Sequence, residues 1–312
     1  MTELRRPRAP REQDHPYRGR WVHLILGLLV AVLAVTWAGQ RAQQGVLANL
    51  DTRLQDAGAG ADAALITVEA EQLSALRSIT FTRGVATAVE NSDPTAINRL
   101  VTPLHANSNV PMVDVVRPNG QVLFAVRSKG APRPVASRSG LRAISQSIRE
   151  ARGARGGRFT EVVIFKTGPA FMTVGPLMNG THAVGVVLVI TPLADVLGRI
   201  SQQVRADLTA YTSDGAPIAT TSVQDPPTLD RDTARTLIGG GAIVLRYIHG
   251  SDREALGRLI VDHQPDAVLG VSLHDNSPIT KHAVMLFAAL GLIAAVVILG
   301  TFWARIVNRE GK

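Results

Sequence analysis

Asp114–Val126, DVVRPNGQVLFAV, and Leu208–Thr221, LTAYTSDGAPIATT, decide how this chain is read. In each stretch a short apolar run meets a turn closed by a glycine, Gly120 or Gly215, and a second apolar run follows. Period-two alternation on both sides of Asn-Gly or Asp-Gly is a strong short-range signal for a β-hairpin. Working outward, the same elements follow both hairpins. After the first come an amphipathic helix at Leu141–Ala151 and strands at Phe159–Phe165, Phe171–Leu177 and Ala183–Ile190. The last two strands join at Met178-Asn179-Gly180-Thr181; this matches a glycosylation sequon, but a tight turn accounts for it fully. After the second hairpin come a helix at Asp230–Ile238 and strands near Ala242–Ile248, Leu256–Val261 and Ala267–Leu273. GVVLVI (185–190) closes one half and GVSLHD (270–275) the other. The order strand, turn, strand, helix, three antiparallel strands is thus written twice, which predicts an α+β fold built from a duplicated unit.

Upstream, no proline interrupts Gln40–Asn91, and apolar residues recur there at threes and fours, the pattern of a long amphipathic helix. The small-residue stretch AGAGADAA at 57–64 leaves two readings open. One is a single helix that lets another backbone approach closely; the other is two helices meeting at Gly58–Gly60. Ser92-Asp93-Pro94 predicts a helix start, with a capping side chain ahead of proline in the first turn, and this helix runs to about His105. Pro192–Val204 reads as a connecting helix.

Two stretches are written for a bilayer. Trp21–Gly39 is apolar apart from His23 and Thr36, and Ala283–Ala304 carries no charge; either spans a hydrocarbon core of about 30 Å as a helix. A secretory signal cleaved after Ala38 is the rival reading of the first. Six Arg precede the first span, and Arg305, Arg309 and Lys312 follow the second, whereas few basic residues flank the intervening segment. Both termini are therefore expected in the cytoplasm, with the bulk of a two-pass inner (plasma) membrane protein outside it.

The chain's formal charge of +8 is concentrated at these ends, and only 4% of its residues are aromatic, so the basicity is topogenic and no nucleic-acid partner is expected. With no cysteine there is no disulfide, thiolate metal site or cysteine nucleophile. The eight histidines show no HxH or HExxH spacing, and neither a phosphate-binding glycine loop nor a G-x-S-x-G elbow is present. The chain is expected to be no enzyme and to hold no metal or cofactor.

The long helix, the two x-x-G hairpins and the closing segment P-L-x-N-G…V-G-V-V-L-V-I between two spans resemble the double Cache, tandem PAS-like extracellular sensors of bacterial receptors. The resemblance implies a basic disordered arm at 1–20, a span at 21–39, and the long and short helices of the sensor at 40–104. A membrane-distal module at 105–191, a connecting helix at 192–204 and a membrane-proximal module at 205–280 follow. A second span at 283–304 and a short tail at 305–312 complete the expectation. The function implied is a membrane-anchored sensor, ligand-binding in the distal module, that passes a conformational signal through its second span. Because no output domain follows Lys312, a partner signalling protein is expected to read it, and a homodimer along the long helix fits. Membrane lipid is the other expected partner. Amino-acid-binding members carry a carboxylate at the end of the distal closing strand; here that strand ends in Ile190-Thr191, so the resemblance does not support an amino-acid ligand.

The expected ligand pocket lies between the distal sheet and the loop and helix at 131–152. Arg127, Arg133, Arg142 and Lys166 are the candidates for holding an anionic small molecule, and Phe165, Phe171 and Thr173 the candidates for its walls. The alternative is an envelope structural or interaction protein that uses the same outer region for protein docking.

Overall fold

A computed structural model describes residues 18–153, 156–248, 252–261 and 264–273. The expected second span, the cytoplasmic tail and most of the basic arm lie outside these residues, as does His274-Asp275 of the second closing strand.

Helix α1 runs from Arg18 to Thr80 without interruption. Of the two readings of residues 57–64, the continuous one holds. The helical pattern read as far as Asn91 is broken instead at 81–84, where Gly84 takes φ +92°, and a short α2 (Val85–Glu90) follows. The buried stripe of α1 passes through Leu54, Ala57, Ala61, Ala64, Leu65, Val68, Gln72, Leu76 and Ile79, spacings of three and four that place it on one face. Helix α3 (Pro94–Ala106) starts as predicted: the Asp93 carboxylate accepts from the backbone N–H of Thr95 and Ala96, and Pro94 needs no such partner. Among the described residues no helix is long and apolar enough to cross a membrane.

Residues 51–275 form one unit with two five-stranded antiparallel sheets. In the first, β1 (Met112–Val116) and β2 (Val122–Arg127) make the hairpin. Helix α4 (Arg142–Glu150) intervenes, and β3 (Phe159–Phe165), β4 (Gly168–Asn179) and β5 (His182–Pro192) form a meander that returns β5 beside β1, giving the order β2-β1-β5-β4-β3. Helix α5 (Leu193–Val204) leads to the second sheet. There β6 (Asp207–Tyr211), β7 (Pro217–Thr220), α6 (Arg231–Ile238), β8 (Val244–Ile248), β9 (Asp252–Val261) and β10 (Gln264–Leu273) repeat the plan in the order β7-β6-β10-β9-β8.

The duplication extends to single hydrogen bonds. Arg117 N–H donates to Gln121 O and Gly120 N–H to Arg117 O; Thr212 N–H donates to Ala216 O and Gly215 N–H to Thr212 O. In both turns the glycine has a left-handed φ, +85° and +84°, and its carbonyl accepts from a loop that folds back over it, from Arg138 N–H in one and Leu229 N–H in the other. A Cβ on Gly120 would run into the Ser139 backbone, and one on Gly215 into Leu229 O. Only glycine meets both demands.

Strand alternation gives the first sheet two apolar faces. Val113, Val115, Leu177, Val187 and Val189 pack with α2, α3 and the end of α1; Met112, Val116, Met172, Val174, Leu188 and Ile190 pack under α4. The second sheet packs Tyr211, Leu256 and Val268 against Ala234 and Leu237 of α6.

Candidate ligand pocket

On the α4 face of the first sheet, Asp114 stands in an otherwise apolar row, its side chain fully buried. An isolated buried carboxylate is costly, and two guanidiniums neutralise this one. Arg127, at the end of β2 and paired in register with Met112, brings Nη2 within 2.5 Å of Asp114 Oδ1. Its Nη1 donates to the carbonyls of Val113 and Val126 at 3.1 and 2.9 Å. Arg138, from the loop after β2, donates to Asp114 Oδ2 from Nε at 3.0 Å and Nη2 at 2.8 Å, a two-pronged contact. The Arg138 guanidinium also lies over the Phe165 ring, 4.5 Å from its centroid. The loop that carries Arg138 is itself fixed: Val122 N–H donates to Ala136 O and Arg138 N–H to Gly120 O.

These side chains enclose a cavity of about 30 Å³, lined by Arg127, Arg133, Arg138, Phe165, Pro169 and Ile190 among others. That holds a water molecule or two but no metabolite while Arg138 lies across it. Arg127 Nε is buried there with no hydrogen-bond partner among the described residues, an unused donor.

Of the residues expected from the sequence, Arg127, Arg133 and Phe165 line this cavity together. Arg142 is exposed at the first turn of α4, and Lys166 is exposed in the β3–β4 turn. Phe171 and Thr173 are buried on the opposite face of β4, toward α1. There Gln72 Nε2 donates to Thr191 Oγ1 at 2.8 Å and Thr173 Oγ1 donates to Gln72 Oε1 at 2.6 Å. Thr160 Oγ1 adds a hydrogen bond to Thr173 Oγ1 at 3.0 Å. This buried network ties α1 to β3, β4 and β5. Thr191, at the end of the closing strand, belongs to it and faces away from the pocket.

Sequence reasoning missed Asp114 and Arg138. A lone aspartate inside MVDVV was a usable sign, because a charge in a fully buried strand demands a partner. Nothing in the loop distinguished Arg138 from its neighbours.

The second sheet has its own buried carboxylate. Glu254 on β9 accepts from Tyr211 Oη at 2.8 Å and from Arg246 Nε at 2.6 Å. Arg246 also donates to Tyr211 Oη and to the carbonyls of Pro227 and Thr228. Burial first, then the adjacent Glu254 charge, push the Tyr211 hydroxyl pKa up, so it stays protonated as a donor. A Cβ on Gly270 would collide with Glu254 Oε1, so glycine makes room for the carboxylate. Every group in this cluster is satisfied from within, which marks it as structural. Among the described residues no His, Asp or Glu side chains gather closely enough to hold a metal ion.

The architecture is similar to that of solved sensory and ligand-binding domains. The sensory domain of the Campylobacter jejuni chemoreceptor Tlp3 (CcmL) superposes with a TM-score of 0.52 at 10% identity, over 77% of this chain and 98% of that one. The ligand-binding domain of Tlp3 in complex with 4-methylisoleucine gives 0.51 at 12% identity, over 76% and 94%. The sensor domain of the Vibrio cholerae histidine kinase DctB gives 0.48 at 10% identity, over 73% and 97%. No family model matches the sequence. No curated protein matches it either. The fold is the double Cache, tandem PAS-like fold of extracellular sensor domains.

Proposed function

We propose that this chain is a membrane-anchored extracytoplasmic sensor whose first-sheet pocket takes a small anion, a carboxylate above all. The observation that carries the reading is the charge balance at the pocket: Arg127, Arg133 and Arg138 converge on a site whose only acid among the described residues is Asp114. A ligand carboxylate replaces Asp114 as the acceptor for Arg138, uses the idle Nε of Arg127, and draws the guanidinium off Phe165, which opens the cavity. Ala170 and Ile190 line the pocket, while their strand neighbours Phe171 and Thr191 hold Gln72, so a change in strand packing passes to α1. Exposed Leu29, Val30, Leu33 and Trp37 on α1 support an anchoring role for that part of the helix. The signal then passes through the second span to an output partner.

The test is calorimetric titration of the full chain with mono- and dicarboxylates and, as a separate arm, amino acids. Arg133 is exposed and holds no element in place. Arg133→Ala is expected to keep the melting temperature and weaken a bound carboxylate by about 10- to 100-fold, the worth of a charged hydrogen bond. Silence across the carboxylates, or unchanged affinity in this variant, refutes the reading.

A further inference from the structure

A second cavity, of about 490 Å³, lies between α1 and the face of the second sheet turned away from α6. That is within the range of about 300–1,000 Å³ typical of small-molecule sites. Small residues keep it open from both sides: Gly58 and Ala59 on α1, Ala255 and Gly257 on β9. Gly58 sits inside a helix and Gly257 inside a strand, both places where glycine weakens the element. Neither has the left-handed backbone that would require glycine, and a Cβ at either would have no atom within 4 Å. They do not serve close approach, as Gly60 does, where a Cβ would stand 3.1 Å from Val204 Cγ1. What these two glycines leave is open space along a cleft whose floor, Leu54, Ala255, Leu269 and Val271, is buried and whose rim, with Asp62, Ile243 and Ile260, is exposed.

The walls are apolar, with Leu54, Leu269 and Val271 among them, and Asp62 and Arg258 stand at the margin. Asp62 has no hydrogen bond or ion pair among the described residues. Burial holds its carboxyl above the usual range, and the charge of Arg258 opposes this only in part. Asp62 is exposed at this margin, so a cation entering the cleft can reach its carboxylate from the side away from Arg258.

We propose that this cavity is a second ligand site, for a small amphipathic cation whose apolar body fills the space between Gly58 and Gly257 and whose charged head reaches Asp62. It lies on the other sheet from the arginine pocket and does not depend on that pocket's function.

The probes are hexylammonium, hexanol and hexanoate, titrated into the full chain in lipid nanodiscs, with empty discs subtracted. Hexylammonium is expected to bind saturably and to raise the melting temperature by about 2–4 °C, the shift expected of a ligand that stabilises a domain of this size modestly. Gly257→Val fills the cavity and is expected to weaken binding at least about tenfold, the equivalent of one lost apolar contact region, without lowering the melting temperature of the free protein. Gly58→Ala adds one methyl, keeps the fold and weakens binding about threefold. Asp62→Asn removes most of the preference for hexylammonium over hexanol. Four outcomes overturn the proposal: no saturable binding, hexanoate binding as well as hexylammonium, unchanged affinity in both glycine variants, or a Gly257→Val protein that melts earlier because no space existed.

Discussion

Asp114 shows how far one side chain sets the character of the first sheet. Its two arginines come from different segments, so the carboxylate joins β1, β2 and the loop at a single point. Replacing it leaves two guanidiniums facing each other in a largely buried site. Asp114→Asn is therefore expected to cost about 3–5 kcal/mol, the penalty for breaking a buried ion pair from one side. Arg138→Met is expected to cost much less, because Arg127 still balances the charge and the thioether still packs on Phe165. Urea unfolding of the two variants checks this ordering; equal losses would mean that the loop contact, not the charge, holds the sheet. The same pair explains why the site was only partly legible in the sequence. Arg127 and Phe165 sit at the ends of strands the pattern located, so reasoning from strand positions reached them. Asp114 read as one more residue of an apolar strand, because its partner Arg138 lies 24 positions away in a stretch with no periodicity. Phe171 and Thr173 lie on the other face of β4 from the cavity: strand spacing gives which residues share a face but not which face borders a cavity.

Among the elements, the hairpins were the most legible and the long helix the least. A turn glycine between alternating runs has few structural solutions, and both hairpins form where the sequence places them, each with one irregularity beside the turn. The helix end at Thr80 carried only a weak sign, Gly84 after a Thr-Arg pair, inside an apolar pattern that continues into α2. The two kinds of glycine in the turns also separate cleanly. Gly180 takes φ +60° with open space around a would-be Cβ, whereas Gly215 takes φ +84° with Leu229 O directly in the way. Alanine at 180 is expected to cost about 1–2 kcal/mol, the penalty of a left-handed backbone alone. Alanine at 215 adds to that the overpacking cost of about 1–3 kcal/mol, since the clash is with backbone that also closes the loop. Thermal melts of the two single variants measure the difference. If Gly215→Ala is no worse than Gly180→Ala, the loop docking over the turn is not the constraint that the duplicated hydrogen bonds indicate.

At the scale of the whole molecule, one question is how a change on one face of the first sheet reaches a helix on the other. The sheet is a single layer, so β4 and β5 present pocket residues and α1 contacts on alternate positions: Ala170 beside Phe171, Ile190 beside Thr191. Apolar packing alone tolerates small slips between a helix and a sheet, because it has no direction. The amide of Gln72 does not, since it is held at both ends by groups on two strands and is fully buried. Gln72→Leu keeps the volume but leaves the Thr173 and Thr191 hydroxyls short of a partner, an expected loss of about 1–3 kcal/mol. The coupling consequence is separate from the stability one. Because the chain has no native cysteine, a pair of introduced cysteines can carry spin labels on α1 and α4 without background. A saturating carboxylate ligand is expected to shift the distance between those labels by about 1–2 Å in the parent protein, the size of helix movements at other switch interfaces. In Gln72→Leu the same ligand is expected to bind within about threefold of the parent affinity, since the pocket face is untouched, while the shift falls away. A full shift in the leucine variant would assign the transmission to the apolar contacts around Leu76 and Ile79; a matching loss of affinity would mean that Gln72 shapes the pocket itself.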